Sequence, residues 1–81
     1  MDRQDIQKQL FDILINDFEI EEDELSLESN LYEDLDFDSI DAVDLVVKLS
    51  KLTGKKVEAE VFKQVRTVDD VITEIHKLLA E

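Results

Sequence analysis

Chemistry in this chain concentrates on one hydroxyl set among carboxylates. The run Leu35-Asp36-Phe37-Asp38-Ser39-Ile40-Asp41-Ala42-Val43-Asp44-Leu45 reads as a loop turning into a helix. Asp38 stands where an N-cap belongs, and Asp41, three residues on, can close a box back onto it. Ser39 is then presented at the positive end of a helix that continues through Leu52. Free N–H groups and the macrodipole favour an anion such as phosphate at that end. A serine so placed is either an attachment point or a cap.

Other chemistry finds little material. There is no Cys, so neither a disulfide nor a thiolate metal site is available. His76 is the only histidine, far along the chain from Ser39 and expected on the surface of the last helix. A catalytic triad or a zinc site has no constituents beyond it. Asp34, Asp36 and Asp38 match positions 1, 3 and 5 of a calcium-binding EF-hand loop, but the match then fails. Ser39 takes the place of the turn glycine and Leu45 that of the bidentate glutamate. No metal site and no enzymatic activity of the chain's own are expected.

The elements that must position Ser39 follow from apolar spacing. Residues 3–17 form a first helix, with Ile6, Leu10, Ile13, Leu14 and Phe18 on one stripe. Residues 19–38 form a long connection. Its acidic cluster from Glu19 to Glu24 repels itself and makes a poor helix, while Leu25, Leu27, Leu31, Tyr32 and Leu35 can pin it to a core. In the central helix, 39–52, Ala42, Leu45, Leu49 and Leu52 share one side, with Val46 at its edge. Ile40, Val43 and Val47 fall opposite, with Asp44. The larger leucine stripe must face the core, which leaves an apolar strip rimmed by Asp41 and Asp44 facing out, the form of a protein-docking face.

Gly54 ends that helix, with Lys55 and Lys56 near its negative end. A short helix over 58–65 turns Val61, Phe62 and Val65 inward. A last helix over 67–80 is capped by Thr67 and Asp70 and carries Val68, Val71, Ile72, Ile75, Leu78 and Leu79 at helical spacing. The expected fold is all-α: one domain over 1–81, a small bundle of three main helices and one short one.

Charge is unevenly placed. Net charge is −13, from 22 acids and 9 bases, and residues 9–47 hold 14 acids with no Lys or Arg. Such a field repels nucleic acid and anionic lipid and favours basic protein surfaces. No apolar run approaches membrane-spanning length and the N-terminus is unlike a secretory signal, so a cytoplasmic protein is expected.

The octet Asp38-Ser39-Ile40-Asp41-Ala42-Val43-Asp44-Leu45 resembles the Asp-Ser-Leu-Asp-x-Val-Glu-Leu signature of acyl carrier proteins. The resemblance extends over essentially the whole chain: its length, its acidity, the helix order and the Thr67-Val68 start of the last helix. It implies that Ser39 carries 4′-phosphopantetheine, transferred from coenzyme A by a phosphopantetheinyl transferase using Mg²⁺. Asp38 would then help position metal and phosphate during loading. Ile40, Asp41, Val43, Asp44 and Val47 would form the face read by ketosynthases, acyltransferases and other acyl-processing enzymes. A monomer is implied, with an acyl cavity between the helices lined by the apolar stripes.

The chain departs from that pattern at several positions. Asp36 stands where a glycine is usual, so the turn must be made without one. Lys48, Ser50 and Lys51 shorten the acidic stripe, the last two at positions that are commonly glutamate. Ala59 replaces the aspartate that usually starts the third helix, and Val61 and Phe62 are bulky where polar or small residues are common. These departures point away from housekeeping fatty-acid synthesis and towards a specialised polyketide-like, aryl-polyene-like or modified-lipid pathway. Two other readings stand beside it: a carrier of aminoacyl groups, such as a D-alanyl or peptidyl carrier, and an unmodified acidic interaction module in which Ser39 merely caps.

Overall fold

The computed structural model describes residues 2–58 and 60–80, and among these the regular structure is helical. Helix α1 spans Arg3–Asn16, α2 Ser39–Thr53, α3 Val61–Gln64 and α4 Val68–Ala80, with one 3₁₀ turn at Glu22–Glu24. The start assigned to the third helix at Ala59 lies outside the described residues. Each long helix has its own start signal. The Asp2 side chain accepts from the Asp5 N–H at 2.9 Å, and Asp38 and Asp41 close a reciprocal box on α2. Thr67 Oγ1 accepts from the Asp70 N–H at 3.2 Å.

The core is one cluster in which all three long helices bury a stripe. Ile6, Leu10 and Leu14 of α1 meet Val68, Val71, Ile72 and Ile75 of α4, and Ala42, Leu45, Val46 and Leu49 of α2 close the third side. Helix α1 lies closest to α4, and Arg3 reinforces the pairing with an ion pair to Asp69 at 2.6 Å and a bond to Thr73 Oγ1 at 3.0 Å. Val46, placed at the edge of the stripe from spacing alone, is buried. The outer residues Ile40, Val43 and Val47 are exposed.

The connection from α1 to α2 is fixed at several points. Phe18 stacks on Phe37 with ring centroids 5.0 Å apart, and Leu25 and Leu31 are buried. Ser29, also buried, donates to the Glu24 carbonyl and accepts from the Ser26 N–H, each at 3.0 Å. The backbone also pairs with the segment before α4. Leu31 N–H bonds the Arg66 carbonyl at 2.8 Å and Val68 N–H the Ser29 carbonyl at 3.1 Å, around a single antiparallel bridge between Asn30 and Thr67. These bonds satisfy backbone groups that a loop would otherwise leave to water.

Helix α3 is a single turn, shorter than the 58–65 expected from the sequence. Val65 is extended (φ −81°, ψ 147°) and ends it, which buries the valine side chain. The next carbonyl, of Arg66, is the one that receives Leu31.

Asp36 lies at φ 57°. The turn before α2 therefore takes a left-handed residue without glycine, at a cost of about 1 kcal/mol for a residue with a Cβ. Its carboxylate makes no hydrogen bond among the described residues. Asp36→Gly should therefore raise the thermal midpoint by a few degrees, the relieved strain and lost negative charge outweighing the greater freedom of the unfolded chain. Asp36→Val should cost more than about 1 kcal/mol of stability and so lower the midpoint, since a β-branched residue tolerates that region worst. Thermal melts of the three proteins check the order.

Asp70 links the cap of α4 to pH. Its carboxylate accepts from the Arg66 N–H at 3.1 Å and the Thr67 N–H at 3.2 Å. The Arg66 bond and then the Thr67 bond hold its pKa below the ordinary carboxylate value, against a smaller opposing effect of burial. A value lowered on folding adds stability above the unfolded-state pKa of about 3.9. That stability is lost as the pH falls through the folded-state value. Urea midpoints should therefore fall more between pH 5 and pH 3 in the parent than in Asp70→Asn, and equal falls would contradict the assignment.

Candidate functional site

Asp38, extended at φ −113° and ψ −174°, caps α2. Its Oδ1 accepts from the Asp41 N–H at 2.9 Å, and Asp41 Oδ2 accepts from the Asp38 N–H at 3.3 Å. The capping work is thus done by two aspartates, which leaves the serine between them with none. Ser39 is exposed, and its hydroxyl has no hydrogen-bond partner among the described residues. The backbone amides of Ser39 and Ile40 are likewise unpartnered there, because the first helical bonds begin with Asp41 N–H to the cap and Ala42 N–H to the Asp38 carbonyl. The result is a solvent-facing nucleophilic oxygen beside two free N–H donors at the positive end of a 15-residue helix.

Phosphodiester chemistry fits this donor set. A phosphate joined to Ser39 would meet the helix end rather than buried carboxylates, since Asp36, Asp38 and Asp44 are exposed to water.

Two surfaces meet at Ser39. One is open and shallow, and it brings together Ser39, Ile40, Asp41, Val43, Asp44 and Val47. Ile40 is 76% exposed, Val43 54% and Val47 46%, so three branched apolar side chains stand in water along one face. Asp41 and Asp44 flank them. Helix α2 changes character beyond this point. Lys48 reaches Asp17 at the end of α1, at 3.5 Å, and the Ser50 hydroxyl accepts from the Val57 N–H at 3.0 Å, tying down the loop after α2. These two departures from an acidic stripe have structural partners, while Lys51 is exposed.

The other surface is a groove of about 250 Å³ between the start of α2 and α3. Ser39 stands in its lining with Ala42, Val43 and Val46 on one wall, and Phe62 and Lys63 on the other. Tyr32, from the loop before α2, also borders it, and its hydroxyl donates to the Phe62 carbonyl at 3.0 Å. Spacing along α2 identified Ala42 as apolar and inward and placed Val46 at the edge of that stripe. It gave no sign that Tyr32 and Phe62, 30 residues apart, meet across a groove.

Residues considered for metal or acid–base chemistry lie elsewhere or are engaged. Asp34 Oδ2 accepts from the Asn30 N–H at 2.7 Å, and His76 is half-buried on α4. Among the described residues no group of three or more His, Cys, Asp or Glu is arranged to hold a metal ion, and no helix is long and apolar enough to cross a membrane.

Comparison with known proteins gives a consistent family. Residues 8–75 match the family model described as a phosphopantetheine attachment site. "Acyl carrier protein 2" of Ralstonia nicotianae is 44% identical over 80 residues, covering 99% of each chain. "Acyl carrier protein" of Coprothermobacter proteolyticus is 38% identical over 72 residues, 89% of this chain and 88% of that one. "Acyl carrier protein" of Lactobacillus acidophilus is 28% identical over 75 residues, 93% and 94% of the two chains. The chain belongs to the acyl carrier protein family and is a phosphopantetheine-dependent carrier of acyl groups.

Proposed function

We propose that Ser39 is the residue to which 4′-phosphopantetheine is joined. The observation that carries this is the free hydroxyl: Asp38 and Asp41 complete the helix cap between themselves, so Ser39 is spared for attachment. When bound, the group supplies the terminal thiol on which acyl groups are held as thioesters, a function this cysteine-free chain cannot provide. The chain's own residues position and present it. Ser39 Oγ is the nucleophile towards the β-phosphorus of coenzyme A, giving up its proton as 3′,5′-ADP leaves. Asp38 keeps one carboxylate oxygen free of hydrogen bonds, available to the Mg²⁺ used in loading. The Ser39 and Ile40 amides favour the phosphodiester once formed.

Ile40, Asp41, Val43, Asp44 and Val47 are the surface that partner enzymes read, with a phosphopantetheinyl transferase first and ketosynthases and acyltransferases after it. Three exposed branched side chains beside two carboxylates suit a partner with an apolar patch ringed by Lys and Arg. The whole chain acts as one domain, as a monomer in the cytoplasm, without catalysis of its own. The short acidic stripe supports a specialised pathway, polyketide-like or of modified lipids, over housekeeping fatty-acid synthesis. The groove beside Ser39 takes the first carbons of the acyl chain.

Peptide mapping after loading tests the attachment. Incubation with coenzyme A, Mg²⁺ and a transferase, then proteolysis, should give one modified peptide, and it should contain Ser39. Modification of any other peptide would overturn the proposal.

A further inference from the structure

We infer that the Lys63 ammonium pairs with the phosphodiester formed on Ser39 and draws the root of the arm towards α3, away from the docking strip. The inference rests on the reading of Ser39 given above and adds the residue that answers the new charge. Loading places an anion where the chain is already most negative. Asp36, Asp38, Asp41 and Asp44 lie within five positions of Ser39, and residues 9–47 contain no Lys or Arg. The free amides at the start of α2 offset part of the repulsion. A full positive charge must come from another element, and among the described residues Lys63 is the cation that lines the groove together with Ser39.

Position and freedom both suit Lys63 to this. Its neighbour Phe62 is buried and receives the Tyr32 hydroxyl on its carbonyl at 3.0 Å, and the Lys63 N–H bonds the Glu60 carbonyl at 3.1 Å. These contacts hold the Lys63 backbone in the groove wall, while its side chain is exposed. Arg3, Lys48, Lys56 and Lys77 each pair with a carboxylate. The Lys63 ammonium has no ion pair or hydrogen bond among the described residues, although Glu60 stands three positions before it. A phosphodiester carries one negative charge at neutral pH, shared by two oxygens. A lysine, a point charge on a flexible four-carbon stem, can follow such a group as it turns about its ester bonds. Lys63 borders the groove and not the strip of Ile40, Val43 and Val47, so the pair pulls the first bonds of the arm off the surface that partners read.

The test compares the parent with Lys63→Gln, with Lys63→Arg, and with Lys51→Gln, which removes the same charge from an exposed site outside the groove. Each is melted before and after loading from coenzyme A with Mg²⁺ and a transferase, and loading is verified by intact mass. In ~10 mM salt, where charges act over about 30 Å, the change in midpoint on loading should be less favourable in Lys63→Gln than in the parent by about 2 °C, the scale of an exposed ion pair in a domain this small. Lys63→Arg and Lys51→Gln should change on loading as the parent does. In ~1 M salt, where screening leaves about 3 Å, the difference should vanish. The phosphorus NMR signal of the loaded protein should shift and narrow in Lys63→Gln alone, since the phosphodiester loses its partner and moves more freely.

Equal changes on loading in the parent and Lys63→Gln, or a phosphorus signal that does not move between them, would overturn the inference. So would a Lys51→Gln protein that behaves as Lys63→Gln does, because then only net charge matters. A Lys63→Gln protein that alone fails to load would put Lys63 under the transferase and overturn it as well. No mass gain in any of the four proteins would instead mark the failure of the Ser39 reading, and this inference would fall with it.

Discussion

Val43→Asp should slow loading by a phosphopantetheinyl transferase, lowering kcat/KM about thirty-fold while the fold survives. Val43 lies in the middle of the exposed strip, between Ile40 and Val47 and beside Ser39. A carboxylate there must be desolvated against whatever apolar surface the partner brings. A loss of about 2 kcal/mol is the scale of the few hot-spot positions that cluster near the centre of an interface, and that energy corresponds to roughly thirty-fold. The domain itself has little to lose. Val43 is more than half exposed, and no charged residue stands three or four positions away on the helix to repel the new one. Its thermal midpoint should stay within a few degrees of the parent, as for most surface changes. Unchanged kinetics would show that the partner does not cover this strip. A large loss of helicity would show that the strip faces inward.

Two residues along, the same helix gives the opposite result. Leu45 is fully buried among α1 and α4 side chains, and Leu45→Ala should cost about 3 kcal/mol through lost burial and the cavity left behind. In a domain of 81 residues, that lowers the thermal midpoint by about 12 °C or more. Little stability is in reserve, because small domains rarely exceed a few kcal/mol and the crowded carboxylates of residues 9–47 repel one another. The carrier function should be retained by whatever fraction stays folded, so loading at low temperature should be near normal. A midpoint shift of only a degree or two would mean that α2 is not the third wall of the core.

The contrast between Val43 and Leu45 was legible in the sequence because it is a matter of local periodicity. A helix turns about 100° per residue, so the apolar positions of α2 separate into two faces before any partner is known. The Asp38–Asp41 and Thr67–Asp70 boxes were legible for the same reason, both being contacts three residues apart. The need for a non-glycine turn at Asp36 also followed from one residue type, and it is met by a left-handed φ.

What spacing did not reveal depends on residues that meet only after folding. Val46 is buried rather than marginal because α3 leans over that edge of α2 and makes a groove there. The third helix is a single turn because Val65 is drawn into the core and the adjoining Arg66 carbonyl is used by Leu31, 35 positions earlier. Ser50 and Lys48 read as gaps in an acidic stripe, yet each has a partner distant in sequence, Val57 and Asp17. Tyr32 looked like one more apolar anchor of the loop. Its hydroxyl, bonded to the Phe62 carbonyl, gives it a role that no local pattern encodes.

The central claim is that Ser39 is free for attachment because Asp38 and Asp41 cap the helix without it. The most direct measurement is an intact-mass spectrum of the parent and Ser39→Ala after incubation with coenzyme A, Mg²⁺ and a phosphopantetheinyl transferase, with thermal melts alongside. The parent should gain the mass of one phosphopantetheine, and Ser39→Ala should gain none while melting within a few degrees of the parent. A Ser39→Ala protein that still gains the group, or one that unfolds because the serine was capping after all, would contradict the account.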